Sequence, residues 1–206
     1  MTKVYWYTMR RLRTIRDKIA RYDFYNLLSR ELRGAKAILD VGCGDTSSIR
    51  HIKTYKVGVD HCLSHLERSR REALQDDYIV GDIRFLPFRS KSFDCVVATE
   101  VLEHLSKEDG WMCLEELERV ACNKVVLTTP NGFLNVPSHL SGWIAKELKA
   151  KGYKVYGMHG LRFLYHVRGG RAVPKSLLFA SMAGLSQFLT YWLPDWAFGL
   201  FAIKKY

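Results

Sequence analysis

The sequence predicts an α/β fold in which helices cover a doubly wound, mostly parallel sheet of seven strands. Three observations carry this expectation. Short apolar runs recur along the chain, stretches of helical periodicity separate most of them, and glycine or acidic residues follow the first four.

Residues 10–32 place Leu12, Ile15, Ile19 and Tyr22 at helical spacing, then Tyr25, Leu28 and Leu32, with Arg and Lys between them. This predicts an amphipathic helix or helix pair ahead of the sheet, stopped at Gly34. The period then changes. Ala37–Val41 is a buried strand running into Gly42-Cys43-Gly44, and comparable runs follow at Tyr55–Val59, Tyr78–Val80, Phe93–Ala98 and Lys124–Thr128. Cys62–Leu74 and Lys107–Cys122 carry helical spacing. A further helix is expected over 141–151, a sixth strand over Tyr153–Tyr156 and a final one over Trp196–Ile203. Strand alternating with helix requires right-handed crossovers and hence a parallel sheet. The chain divides into an N-terminal helical extension (1–35), a core (36–132) and a distal segment with the last strands (133–206), all one domain.

Composition limits the function classes. The 206 residues are 48% hydrophobic and 26% charged, which suits a globular domain with a real core. Five scattered cysteines without a C-x-x-C pair argue against a disulfide framework or a zinc site of usual spacing, and suit a reducing, cytoplasmic setting. The opening residues contain no apolar stretch of the length a secretory signal needs. The net charge of +11 is uneven: residues 1–36 hold ten Lys/Arg against three acids, and residues 146–175 eight against one, while 37–145 is net negative. Basic flanks on a mildly acidic centre place any electrostatic partner on the flanks, although each single charge reads equally as a solvated helix face.

In an open α/β sheet, ligands bind outside the carboxyl ends of the strands. Gly42 and Gly44 follow the first strand, where the backbone must turn sharply and approach a ligand without Cβ atoms. Asp60 ends the second strand, where a carboxylate accepts hydrogen bonds from both hydroxyls of a ribose. Asp82 follows the third strand, and Glu100 to His104 follow the fourth. Asp60 or Asp82 alone reads equally as a helix cap or turn residue; the recurrence at three strand ends is what points to a site. Asp45 lies where a phosphate would sit, which disfavours a dinucleotide but not a ligand carrying cationic groups.

The runs ILDVGCGDTSSI, VGVD, VGDIRFLPFRSKSFDCVVATEVLEHL and VVLTTPNG, within residues 36–132, resemble the class I S-adenosylmethionine-dependent methyltransferases, in particular the group that includes ubiquinone and menaquinone biosynthesis enzymes. Thr46 stands where the usual third glycine would be. The resemblance implies a Rossmann-like fold and S-adenosyl-L-methionine as cofactor. Asp40 and the Gly42, Cys43 and Gly44 backbone would hold its methionine part, Asp60 its ribose, and Asp82 with the Ile83 backbone its adenine. Thr99 and Glu100 would form the floor, and His61 would pack beside the ribose.

Methyl transfer from a sulfonium is an in-line displacement that rewards alignment and needs no metal. A general base often helps an oxygen or nitrogen acceptor; His104 and His139 are the candidates. An E-x-x-E-H run such as Glu100–His104 has been linked to a divalent cation in some quinone-pathway relatives, but it is widespread in metal-free enzymes and no metal is expected. Residues 176–193 are uncharged, yet Gly184, Ser186 and Gln187 interrupt them and Pro194 follows, so a helix buried against substrate or an interface is expected rather than a span. The weaker alternative is a helix on a membrane surface, with Arg162, Arg168, Arg171 and Lys175 at anionic headgroups. The expected substrate is a small-molecule or lipid-like acceptor. RNA, including tRNA, ranks lower, and a non-catalytic cofactor-binding module lower still.

Overall fold

The computed structural model describes residues 23–168, 171–175 and 177–206; the 10–22 portion of the expected N-terminal helix lies outside them. Helix α1 (Phe24–Glu31) is capped by Asp23, whose carboxylate accepts from the Tyr25 N–H at 3.1 Å, and Gly34 leaves the helix at φ +83°.

Strands β1 (Ala37–Val41), β2 (Tyr55–Asp60), β3 (Asp77–Val80), β4 (Phe93–Thr99), β5 (Ala121–Pro130), β6 (Lys154–Leu161) and β9 (Ala197–Lys205) form one sheet in the order β3-β2-β1-β4-β5-β9-β6. β1 to β5 pair in parallel, while β9 runs antiparallel to both its neighbours. β1 therefore has β2 on one side and β4 on the other, and the order reverses there, which opens a crevice at its carboxyl end. Because β9 is inverted, its first residues join the carboxyl ends of β5 and β6 at that same edge.

Alternation along the strands builds two cores. Leu39, Val96, Val125 and Leu200 face α3 (Lys107–Val120) and α4 (Ala145–Ala150). Ile38, Val97, Val126 and Phe201 face α1 and Tyr191 of α5 (Leu177–Trp192). The remaining helix, α2 (Leu63–Arg71), follows β2.

Two departures from the sequence reading have physical causes. The helix expected over 141–151 begins at Ala145, because the preceding segment is tied across the end of β4: the Leu140 and Ser141 N–H groups donate to the Glu103 carbonyl, and the Trp143 indole donates to that of Leu102. A small hairpin, β7 (Tyr165–Arg168) and β8 (Arg171–Pro174), precedes α5; Gly169-Gly170 between the strands is its signature in the sequence. The helix expected over 176–193 is present at 177–192, with Thr190 and Tyr191 buried against the sheet and Leu178 68% and Leu185 72% exposed. Among the described residues no helix is long and apolar enough to cross a membrane.

Candidate cofactor and acceptor site

The first glycine turn is held from two sides. The Gly42 and Cys43 N–H groups donate to the Val59 carbonyl at 2.8 and 3.1 Å, and Gly42 and Gly44 take positive φ values of +65° and +57°. A Cβ on Gly42 would lie 2.7 Å from a Val101 methyl, whereas one on Gly44 would meet nothing within 4 Å. The turn is thus packed below and open above. No helix follows it, since residues 44–51 form successive turns and bends, so the site lacks the helix N-terminus that binds phosphate. Asp45 is neutralised across the loop by Arg68 at 2.8 Å.

Asp60 closes the turn. Its carboxylate accepts from the Gly44 N–H at 2.9 Å through one oxygen and from the Cys62 N–H at 2.8 Å through the other, and the residue is buried. Each oxygen retains a further acceptor direction. The His61 imidazole is exposed, its Nδ1 3.5 Å from Asp60, and the His65 Nδ1 lies 3.7 Å away.

Asp40 lies deeper, fully enclosed. One of its oxygens accepts from the Ser47 hydroxyl at 2.5 Å and from the Gln75 amide at 2.9 Å. Burial pushes its pKa up to about 6 against the lowering effect of those two donors. A carboxylate held at such a disadvantage marks a site where negative charge is wanted. Sequence reasoning missed Ser47 and Gln75; Gln75 lies in the α2–β3 connection, where no motif marks it.

Asp82 is less free than expected. Arg84 donates Nε and Nη2 to it, at 2.6 Å for the shorter contact, and reaches Asp109 with Nη1 at 3.0 Å. The Arg84 hydrogen bonds hold the Asp82 carboxyl below its ordinary pKa. Ile83 packs half-buried on the core beside it. Thr99 exchanges a hydroxyl contact with Ser48 at 3.1 Å, tying β4 to the glycine loop. Glu100 adopts φ +55°, a left-handed conformation unusual for a side chain with a Cβ, and its carboxylate accepts from Thr128 Oγ1 at 2.9 Å.

A second cluster follows β4. Ligating atoms of Glu103, His104 and His139 lie within 4.8 Å of one another. Glu103 is buried and accepts from Thr129 Oγ1 at 3.0 Å; burial, reinforced by the nearby Glu100 charge, raises its pKa well above the carboxylate range. The His104 Nδ1 meets the Ser138 carbonyl at 2.9 Å, which directs its Nε2 outward. The two imidazoles stand edge to face, centroids 5.0 Å apart. His139 Nδ1 is buried without a hydrogen-bond partner, and desolvation together with His104 lowers its pKa.

These features define an open α/β domain with a glycine turn and several acidic residues gathered at the carboxyl ends of its strands around the β1 switch point. Residues 39–128 match the methyltransferase domain family. A protein of Encephalitozoon cuniculi classed as a methyltransferase is 30% identical over 140 residues, covering 60% of this chain and 65% of its own length. The cycloartenol-C-24-methyltransferase of Arabidopsis thaliana is 26% identical over 117 residues, 52% of this chain and 34% of its own. Other relatives are named for tRNA methylation. The chain thus spans less than two thirds of these relatives. The structure of a SAM-dependent methyltransferase from Archaeoglobus fulgidus superposes with a TM-score of 0.60 at 16% identity, over 88% of this chain and 94% of its own. The fold is the one seen in that structure, and the stretch that matches the methyltransferase domain family runs from β1 through β4 and into β5.

Proposed function

We propose that this chain methylates a small, partly apolar, lipid-like acceptor, with the cofactor ribose held by Asp60 and the acceptor proton taken by His139. The observation that carries the cofactor half is the buried Asp60 carboxylate closing an open glycine turn. The residues fit S-adenosyl-L-methionine: Asp60 keeps acceptor directions for two hydroxyls, the space above Gly44 is unfilled, and Asp40 offers negative charge toward an ammonium group. Asp82 and the Ile83 backbone would bound the adenine, with Arg84 fixing the Asp82 rotamer, and Thr99 and Glu100 would form the floor. The cofactor, when bound, supplies an electrophilic methyl group.

The chain's own work is then alignment and proton management. His139 is the candidate base: desolvation and the neighbouring His104 lower its pKa, and its Nδ1, buried and without a hydrogen-bond partner, leaves Nε2 to meet an acceptor. His104 packs edge to face against His139 and is itself anchored by the Ser138 carbonyl. Phe133, Phe163 and Trp196 are exposed where the chain leaves β5, leaves β6 and enters β9, so the rim at this edge is apolar. An apolar rim suits a lipid-like acceptor, as does the sterol-pathway relative.

The test is incubation of the protein with radiolabelled cofactor and separated lipid and RNA fractions of a cell extract. Label in the lipid fraction is expected; label in RNA alone would overturn the acceptor class. Calorimetry with S-adenosylhomocysteine separates either enzyme from a protein that lost the fold's ligand.

A second reading is favoured by the Glu103–His104–His139 cluster, whose orphaned His139 nitrogen and outward His104 Nε2 fit a divalent cation. Those residues would hold the ion and it would supply Lewis acidity toward an acceptor oxygen. Activity that survives exhaustive EDTA treatment supports the metal-free reading; loss restored by one divalent cation establishes the second.

A further inference from the structure

Helix α5 exposes a row of large apolar side chains. An amphipathic helix on a globular protein ordinarily presents its apolar stripe to the sheet. Here the polar residues face inward: Ser186 Oγ accepts from the Leu161 N–H at 3.0 Å, and Gln187 accepts from the Gly160 N–H and donates to the Gly157 carbonyl, both at 3.1 Å. They satisfy backbone groups of β6, the edge strand of the sheet. The approach is close, since a Cβ on Gly157 would sit 2.1 Å from the Thr190 carbonyl oxygen. The outward face carries Leu178, Met182, Leu185, Leu189 and Trp192 in one helical stripe, each 40 to 72% exposed.

The stretch of sequence that holds this helix is basic, with Glu147 and Asp195 as the nearest acids on either side. Residues 148–194 contain seven Lys/Arg and no Asp or Glu. Lys175, just ahead of the helix, is exposed. At the other end of the helix, Trp192 and Trp196 are both largely exposed, the residue type that settles at a membrane–water boundary.

We propose that α5 docks this protein on the surface of an anionic lipid bilayer, lying in the interface with its leucine stripe among the acyl chains. Three classes of partner compete for such a face. RNA satisfies the basic charge but offers little to a row of leucines. A second copy would cover the leucines but bring an equally positive, acid-free segment against this one. An anionic bilayer satisfies both the apolar stripe and the charge. At 16 residues the helix lies along the surface rather than through it. Its exit through Pro194–Trp196 is tied by the Asn131 amide, which donates to the Pro194, Asp195 and Ala197 carbonyls at the carboxyl end of β5. Docking therefore brings the acceptor edge of the sheet to the bilayer. The proposal rests on α5 alone and stands whether or not the acceptor is a lipid.

The experiment is co-sedimentation of the full chain with phosphatidylcholine vesicles and with vesicles that also contain phosphatidylglycerol, at low and high salt. The comparison adds Lys175→Glu and a Leu185→Glu/Trp192→Glu double variant, with circular dichroism and S-adenosylhomocysteine binding as checks on folding. Wild type is expected in the pellet with anionic vesicles, less so at high salt. The double variant should bind at least tenfold more weakly with unchanged cofactor affinity, and Lys175→Glu should lose several-fold. Wild type remaining in the supernatant with anionic vesicles overturns the proposal. So does sedimentation velocity showing a vesicle-independent dimer that the double variant dissociates, because the stripe then belongs to a second copy.

Discussion

Residues 36–132 and residues 133–206 were built under different constraints. On the proposed function the first region must meet one fixed ligand, and its distinctive chemistry lies in particular side chains at particular strand ends: two glycines at positive φ, Asp60 closing their turn, Asp40 held beneath them. The second region, on the proposals above, meets an acceptor and a surface whose demands are shape and polarity. It answers with a tied loop, an added hairpin and a helix that faces its leucines outward. A site for a cofactor is legible as a motif, whereas a site for an acceptor is legible only once the chain is folded.

The largest effect that sharpens this contrast is expected at His139. His139→Ala should lower single-turnover methylation by roughly 10²–10⁴-fold if the imidazole is the base, with cofactor affinity unchanged within about 0.5 kcal/mol. A loss confined to KM would make His139 a positioning residue instead. Full turnover in both His139→Ala and His104→Ala would leave alignment as the sole contribution of this side.

Next in size is Asp40→Asn. The folded-state pKa of Asp40 is raised from 3.8 to about 6, so the folded protein binds more protons than the unfolded chain between those values, and stability falls as pH rises through that window. The deficit above it is roughly 3 kcal/mol at most. Asparagine keeps an acceptor for Ser47 and Gln75 without the charge. Urea unfolding from pH 4 to pH 8 should show a flatter profile and a more stable variant at neutral pH, together with weaker cofactor binding. An unchanged pH profile would show that Asp40 titrates normally, and unchanged cofactor affinity would make its charge dispensable.

The smallest effect separates the two regions structurally. Gly157→Ala places a methyl against the α5 backbone and should cost about 1–3 kcal/mol. The melting temperature should fall while affinity for S-adenosylhomocysteine holds. A coupled loss of cofactor affinity would show that the distal segment supports the cofactor site.

The strand and helix succession was readable because buried parallel strands are continuous apolar runs and their helices are not. Ala37–Val41 emerged as expected, and the final strand, expected over Trp196–Ile203, lies at Ala197–Lys205. What escaped depends on contacts distant in sequence. Nothing local tells that Gln75 reaches back to Asp40, or that Leu140 and Ser141 bond to Glu103 and so delay α4. The 176–193 run was visible as a helix, but not which of its faces meets the sheet. Its orientation follows from Ser186 and Gln187 matching the open backbone of β6, a pairing that only the folded edge strand reveals.

The measurement that bears most directly on the central claim is calorimetric titration of S-adenosylmethionine and S-adenosylhomocysteine into wild type and Asp60→Ala, with circular dichroism confirming that the variant is folded. Each charge-assisted hydrogen bond to the ribose contributes about 1.5–3 kcal/mol. Binding to wild type should therefore be clear, and the variant should bind at least tenfold more weakly. Equal affinity in a folded Asp60→Ala protein, or no binding to wild type, would contradict a cofactor site at the β1–β2 carboxyl ends.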